Sequence, residues 1–126
     1  MQRLVPDLYF DRNSHVLRAR ERRKLAQIAP ALEDILHDFP DLIIVIEGHA
    51  DDRSVLDYND QLGLERADAV RRALLDLSFP EDHLRIVSFS YREPLCVTQD
   101  NLCRQKDRRV HFSAAQPFAG TEGEKR

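Results

Sequence analysis

The most apolar stretch of this 126-residue chain is LIIVIE, residues 42–47. A continuous apolar and β-branched run predicts a strand covered on both faces, and therefore a central strand of a sheet. Pro40 ends the preceding segment, and a polar stretch follows the run directly. A chain of this length supports one compact domain, so the remaining elements must pack around this strand.

Two segments with helical periodicity lie on either side of that strand. Residues 18–39 carry an amphipathic apolar stripe, and Pro30 within it should kink or divide the helix. A second helix is expected at about 57–77. Further strands are predicted at residues 8–10, 84–90 and 108–114.

The resulting order, β-α-β-α-β-β, predicts an α/β fold of the two-layer α+β type. With right-handed crossovers, both helices should pack on one face of a small mixed sheet. We expect the domain to cover residues 5–115, with a polar C-terminal tail at 116–126.

Composition limits the function classes. Hydrophobic residues make up 42% and charged residues 33%, which argues against intrinsic disorder, and the net charge of −3 argues against nucleic acid as a partner. No apolar run approaches the roughly 20 residues that span a bilayer. The N-terminus lacks the apolar region of a signal peptide, so the alternatives are a cytoplasmic protein or an exported one whose signal was removed.

The chain has two cysteines, Cys96 and Cys103, separated by six residues. This spacing favours a loop-closing disulfide over a CxxC redox or zinc site, with two free thiols as the alternative. If oxidised, so short a loop contributes about 2–3 kcal/mol in the chain-entropy model.

The stretch after the central strand, GHADDRSVLDYNDQLGLER (48–66), is crowded with polar groups. A metal site is disfavoured because one histidine, His49, beside adjacent Asp51 and Asp52 matches neither zinc nor calcium ligand spacing. A hydrolase is disfavoured because the stretch has no recognisable pair of nucleophile and base.

A third interpretation suits the spacing better. Asn59, Leu62 and Arg66 lie at i, i+3 and i+7, so they share one face of the second helix. Asp51 should lie beside the start of that helix, where a carboxylate is favoured. A carboxylate and a guanidinium held across a gap complement a zwitterionic amino-acid group. The simpler alternative is that Asp51 and Arg66 pair with each other, partly exposed, or are solvated, and that His49 only packs at the strand end.

Several separated blocks then match a known family: I-x-I-E-G-H-A-D, Y-N-x-x-L-G-x-x-R-A-x-A-V, V-S-F, E-P and R-R-V. In this order and spacing they resemble the OmpA-like peptidoglycan-binding domains, over about residues 8–113. The resemblance implies non-catalytic binding of the peptidoglycan stem peptide, typically through diaminopimelate, whose free end carries an ammonium and a carboxylate. It implies neither a cofactor nor a metal.

The resemblance also implies roles for individual residues. Asp51 corresponds to the residue that meets the ammonium, and Arg66 to the one that meets a carboxylate. The other positions matching the family's pocket are Arg53, Asn59, Leu62 and Asn13. Arg108 and Arg109 match paired arginines before the last strand, where the alternative is internal ion pairs that support the second helix.

Three departures from the family pattern bear on affinity: Ser54 and Ser90 stand where glycine is usual, and Asp107 where asparagine is usual. They leave room for an alternative function, an interaction domain for periplasmic proteins of the Tol system without wall binding. In either case the resemblance implies a periplasmic, outer-membrane-associated protein whose signal and anchor are absent from these 126 residues. Such a compartment agrees with a disulfide between Cys96 and Cys103.

Overall fold

The computed structural model describes residues 5–50, 56–89 and 108–116. Over these ranges two long helices, a short 3-10 helix and four strands follow one another in the predicted order. In chain order they are β1 (Leu8–Tyr9), α1 (Ala19–Asp38), β2 (Ile43–Gly48), α2 (Leu56–Asp76), the 3-10 helix (Glu81–His83), β3 (Leu84–Ser88) and β4 (Arg109–Ala115). In this described part of the chain, neither long helix is apolar enough to cross a membrane.

The sheet is mixed, with strand order β1-β4-β2-β3. β2 runs parallel to β3 and antiparallel to β4, and β1 pairs antiparallel with β4. The prediction that the LIIVIE strand lies inside the sheet is confirmed. The last strand of the chain is inserted between the first two.

The core lies between the helices and one face of the sheet. In register, Ile46 faces Phe112 and Leu8 faces Val110, so these side chains project to the same side. They form one buried cluster with apolar residues of both helices, which confirms the two-layer arrangement. The helical members include Leu25, Ile28, Leu32, Val70 and Leu74.

The expectation that β2 is covered on both faces is wrong. Ile44 and Ile46 are fully buried, whereas Ile43, Val45 and Glu47 between them are partly exposed. Both helices occupy the same face, so a run that is apolar at nearly every position has only alternate residues in the core. The opposite side, called here the open face of the sheet, carries Glu47.

Pro30 does not divide the first helix, because α1 runs unbroken from Ala19 to Asp38. Proline removes one backbone donor, but its ring is exposed, and buried Ile28, Ala29 and Leu32 hold the turns on either side against the core. Tertiary packing therefore outweighs the local preference to break.

Two glycines bring α2 against the end of β2. A Cβ placed on Gly48 would lie 1.7 Å from the carbonyl oxygen of Gly63, and one placed on Gly63 would lie 2.4 Å from Ser88 Oγ. Only glycine permits this backbone contact. The contact sets the second turn of α2 beside the strand end, three residues before Arg66.

Candidate functional site

Arg66 is the largest fully buried side chain in the described part of the chain, with 0% of its surface exposed. Its Nε donates to the carbonyl of Ser14 at 2.8 Å, Nη1 to the carbonyl of His49 at 2.9 Å, and Nη2 to the carbonyl of Asp11 at 3.0 Å. The guanidinium also lies 5.5 Å from the centre of the Phe10 ring, within cation–π range.

These contacts, the carbonyl clamp, join three separate segments. Arg66 on α2 holds both the loop after β1, through Asp11 and Ser14, and the end of β2, through His49. Three of its five N–H donors are used in this way, which offsets much of the desolvation of a buried cation. The simpler alternative, a partly exposed or solvated Arg66, is therefore wrong.

The predicted shared face of the second helix is confirmed. Asn59 and Leu62 are buried on α2 together with Arg66. Because a spacing of three and four residues returns to the same side of a helix, all three line the side that meets the strand ends.

Asn13 is exposed in the loop held by the clamp, and its backbone adopts a left-handed φ of 58°. Asparagine tolerates this conformation better than most residues. The hydroxyl of Tyr58, itself 41% exposed, donates a hydrogen bond to Asn13 Oδ1. Tyr58 in the first turn of α2 thus holds the loop at a second point.

The paired arginines Arg108 and Arg109 contact different parts of the domain. Arg109 is buried on the open face of the sheet, where its Nε lies 3.5 Å from Asp7 Oδ2. This internal ion pair lies on the face of the sheet opposite to the one on which α2 packs. Arg108 donates from Nε to the carbonyl of Phe10 at 3.2 Å and so supports the end of β1 beside the clamp.

Further titratable groups accompany Arg109 on the open face. Asp7 Oδ1 lies 2.8 Å from His111 Nδ1, and Glu47 Oε2 accepts a hydrogen bond from the Ser113 hydroxyl. His49 Nε2 lies 3.8 Å from Glu47 Oε1, an ion-pair distance beyond that of a hydrogen bond. We call these residues the open-face cluster.

Burial sets the protonation of His49. The side chain is 2% exposed and stacks on Phe89 with ring centroids 5.5 Å apart, as a strand-end packing residue should. Desolvation lowers its pKa from 6.5, outweighing the opposite effect of Glu47. For Glu47, burial is the largest single influence and raises the pKa, but interactions with His49, Ser113 and His111 together lower it below 4.5.

Sequence reasoning missed the residues that hold Arg66. Asp11, Ser14 and His49 act through backbone carbonyls, which every residue has, so no side-chain pattern could reveal them. The sequence does carry a signal for Tyr58, because this residue is the first of the Y-N-x-x-L-G block.

Part of the predicted site lies outside the described residues. This applies to Asp51 and Arg53, to the cysteine pair, and to the three departures from the family pattern. These positions are Asp51, Arg53, Cys96, Cys103, Ser54, Ser90 and Asp107.

Comparison with known proteins decides the family. The model of the OmpA family matches residues 9–108, most of the chain and all of the carbonyl clamp. The chain belongs to the OmpA family. This confirms the resemblance that the motif blocks indicated.

Relatives and solved structures refine the placement within the OmpA family. The peptidoglycan-associated lipoprotein of Brucella melitensis is 33% identical over 103 residues, covering 82% of this chain and 59% of that protein. The chain thus spans less than two thirds of the length of such curated relatives. The crystal structure of the peptidoglycan-associated lipoprotein from Burkholderia pseudomallei matches with a TM-score of 0.76 at 30% identity, covering 86% of this chain and 89% of that one.

A more distant structure shares the fold. The cell wall anchor of the T6SS from Pseudomonas aeruginosa matches with a TM-score of 0.69 at 24% identity, covering 86% of this chain and 74% of that one. At that identity the likeness concerns the architecture alone.

Proposed function

We propose that this OmpA-family domain binds peptidoglycan without cleaving it and thereby attaches an envelope component to the cell wall. The observation that carries the proposal is the carbonyl clamp: the arginine of the family motif is buried and organises the edge where α2, the loop after β1 and the end of β2 meet. The name of the relatives, peptidoglycan-associated lipoprotein, supports the same partner.

The proposed ligand is the diaminopimelate of the stem peptide. Asp51 takes the ammonium, Arg66 takes the carboxylate, and Arg53, Asn59, Leu62 and Asn13 line the pocket. Arg66 has no accessible surface in this structure, so a carboxylate reaches it only by displacing part of its cover. Exchange of one neutral carbonyl for a charged carboxylate strengthens the hydrogen bond, which favours such a displacement.

The same proposal includes the cellular setting. A domain of this kind acts in the periplasm, attached to the outer membrane by parts of a longer protein. This chain covers 59% of the Brucella relative, and attachment to the outer membrane is proposed for the longer protein.

The test is co-sedimentation with purified sacculi, combined with titration of a soluble diaminopimelate-containing stem peptide. We expect wild type to pellet and to bind the peptide saturably, and Asp51→Ala and Arg66→Lys to lose most of both activities. Lysine keeps the charge but not the planar fork. Matched controls are Asp34→Ala and Arg72→Lys, which change exposed residues of α1 and α2.

Failure of wild type to pellet would refute wall binding, and pelleting by every variant would refute the site. Release of soluble wall fragments by wild type would refute the non-catalytic assignment. The alternative function, an interaction domain for Tol-system proteins without wall binding, is motivated by the three departures from the family pattern at Ser54, Ser90 and Asp107. It predicts partner capture by folded wild type and no change in amide chemical shifts with the stem peptide.

A further inference from the structure

The loop after β1 and the first turns of α1 carry a charge opposite to that of the whole chain. Six basic and two acidic residues between Asp11 and Lys24 give this segment a net charge of +4 with histidine neutral, against −3 for all 126 residues. Such local asymmetry creates a field that attracts anions even to an acidic protein.

Helical geometry collects part of this charge on one side of α1. Arg20, Arg23 and Lys24 lie at i, i+3 and i+4, while Glu21 and Leu25 point to the buried side. With Arg18 at the helix start they form what we call the basic face. Arg18, Arg20 and Lys24 line a groove of about 440 Å³ that also contacts β1 and Asp11.

Only part of the basic face is neutralised. Arg18 pairs with Asp11 at 2.7 Å, and Lys24 with Glu21 at 3.1 Å. Arg20 and Arg23 are exposed and form no ion pair with any of the described residues.

The basic side chains at the N-terminus of α1 lower the stability of that helix. Cationic side chains are unfavourable near a helix N-terminus, where the dipole is positive, and Arg18 at the N-cap makes no side-chain cap hydrogen bond. Local rules are broken most often where a residue serves function. The side-chain charges, and not the backbone donors of the helix end, are therefore the feature to explain.

The basic face lies next to the candidate site. Asp11 belongs to both: its carbonyl oxygen accepts from Arg66 Nη2 at 3.0 Å, and its carboxylate pairs with Arg18 Nη1 at 2.7 Å. The clamp and the basic face are therefore neighbours in the domain, joined through Asp11.

We propose that the basic face is a second contact for the same wall polymer, binding the carboxylates of stem peptides that neighbour the one held at Arg66. The proposal rests on the proposed function. It extends that function from binding one diaminopimelate residue to binding the carboxylates of several stem peptides on the same polymer. Two contacts on one polymer raise the avidity without tightening the binding of a single peptide.

An anionic membrane is the less favoured partner. The outward side of α1 continues from the basic face into Gln27 and Asp34, both exposed. A helix that lies on a membrane needs apolar side chains to insert along that side, and Gln27 and Asp34 are both polar.

The test compares Arg20→Glu/Arg23→Glu with Arg72→Glu/Arg85→Glu, which changes the net charge equally at exposed positions of α2 and β3. We expect the first variant to bind sacculi roughly 3- to 10-fold more weakly at low salt, as for loss of two exposed ion contacts, and the difference to shrink at high salt. Its affinity for the soluble stem peptide should change less than twofold. The control should match wild type in both assays.

Equal weakening by the control, or unchanged sacculus binding by the first variant, would overturn the proposal. Weaker binding of the soluble peptide would also overturn it, because the basic face would then belong to the single-peptide site. Selective loss of binding to phosphatidylglycerol vesicles, with sacculus binding intact, would assign the surface to a membrane instead. Failure of wild type to pellet would refute the proposed function, and with it this extension.

Arg20→Gln/Arg23→Gln provides a milder variant if charge reversal impairs folding, and it should show a smaller loss of sacculus binding at low salt.

Discussion

The carbonyl clamp and the open-face cluster both bury an arginine, but they hold it with different chemistry. Arg66 is held by three backbone carbonyls, whereas Arg109 lies beside the carboxylate of Asp7, which also contacts His111. Carbonyls do not titrate, so the clamp contacts persist across the pH range in which the protein folds. Burial and neighbouring groups shift the pKa values of Glu47 and His49, so the open-face cluster ties the stability of the same sheet to pH.

The difference separates two roles for buried charge in this molecule. The clamp orients backbone at the edge where the wall ligand is proposed to bind, and its geometry is independent of protonation. The open-face cluster lies on the side of the sheet opposite α1 and α2, where paired polar groups take the place of apolar core residues. Variants in the two regions should therefore differ in both size of effect and pH dependence.

The largest effect is expected for Arg66→Ala. The truncation leaves three carbonyls without their donor and a cavity in the buried face of α2, so we expect a loss of about 3–5 kcal/mol in the free energy of unfolding. Chemical denaturation at pH 7.5 measures it, with exposed Arg72→Ala as the control. A loss no greater than that of the control would show that the clamp does not hold the three segments together.

Asp7→Asn should have the next largest effect. Asp7 is 3% exposed and contacts Arg109 and His111, so removing its charge leaves the buried guanidinium of Arg109 less well compensated. We expect a loss of about 2–3 kcal/mol, measured by the same denaturation. Exposed Asp82→Asn is the matched control. Unchanged stability would mean that Asp7 contributes geometry and not charge.

Acidification should destabilise the domain through the open-face cluster. His49 has a folded-state pKa below 6.5, so the unfolded chain binds more protons and stability falls as pH drops through 6.5. Glu47 has a pKa below 4.5, so its contribution is present above pH 4.5 and is lost as pH falls further. Both effects have the same sign.

Thermal unfolding at pH 7.5, 6.0 and 5.0 measures this dependence. His49→Gln should flatten the fall between pH 7.5 and 5.0, whereas exposed His37→Gln should not. Arg66→Lys, which leaves the open-face cluster intact, should retain the slope of wild type. An equal slope in His49→Gln and wild type would contradict the assignment.

Tyr58→Phe should have the smallest effect. It removes one partly exposed hydrogen bond to Asn13, so we expect a loss of about 0.5–1 kcal/mol together with amide shift changes confined to the loop after β1. Tyr9→Phe is the control, since its hydroxyl makes no hydrogen bond to the described residues. Shift changes that spread equally over the open face would show that the two regions are not separable.

The spacing of apolar residues along the chain accounts for much of this fold, because the side chains that a helix or strand buries recur with its structural period. The stripe in residues 18–39 predicted α1 to within one residue at each end, and the strand predicted at residues 108–114 matches β4 equally closely. The same reasoning placed Asn59, Leu62 and Arg66 on one helix face, because that depends only on the helical repeat. It failed at the second face of β2 and in the expectation that Pro30 could divide α1, because neighbouring layers decide both outcomes.

The sequence by itself determined the order of elements, the helix face that carries Arg66, and the motif blocks of the OmpA family, since each depends on spacing along the chain. Only the tertiary structure decided that β4 enters between β1 and β2, that Arg109 joins Asp7 on the open face, and that carbonyls of Asp11, Ser14 and His49 converge on Arg66. These depend on backbone groups common to every residue and on contacts between distant segments. Such contacts form when the chain buries its core and must then satisfy each polar group that it encloses.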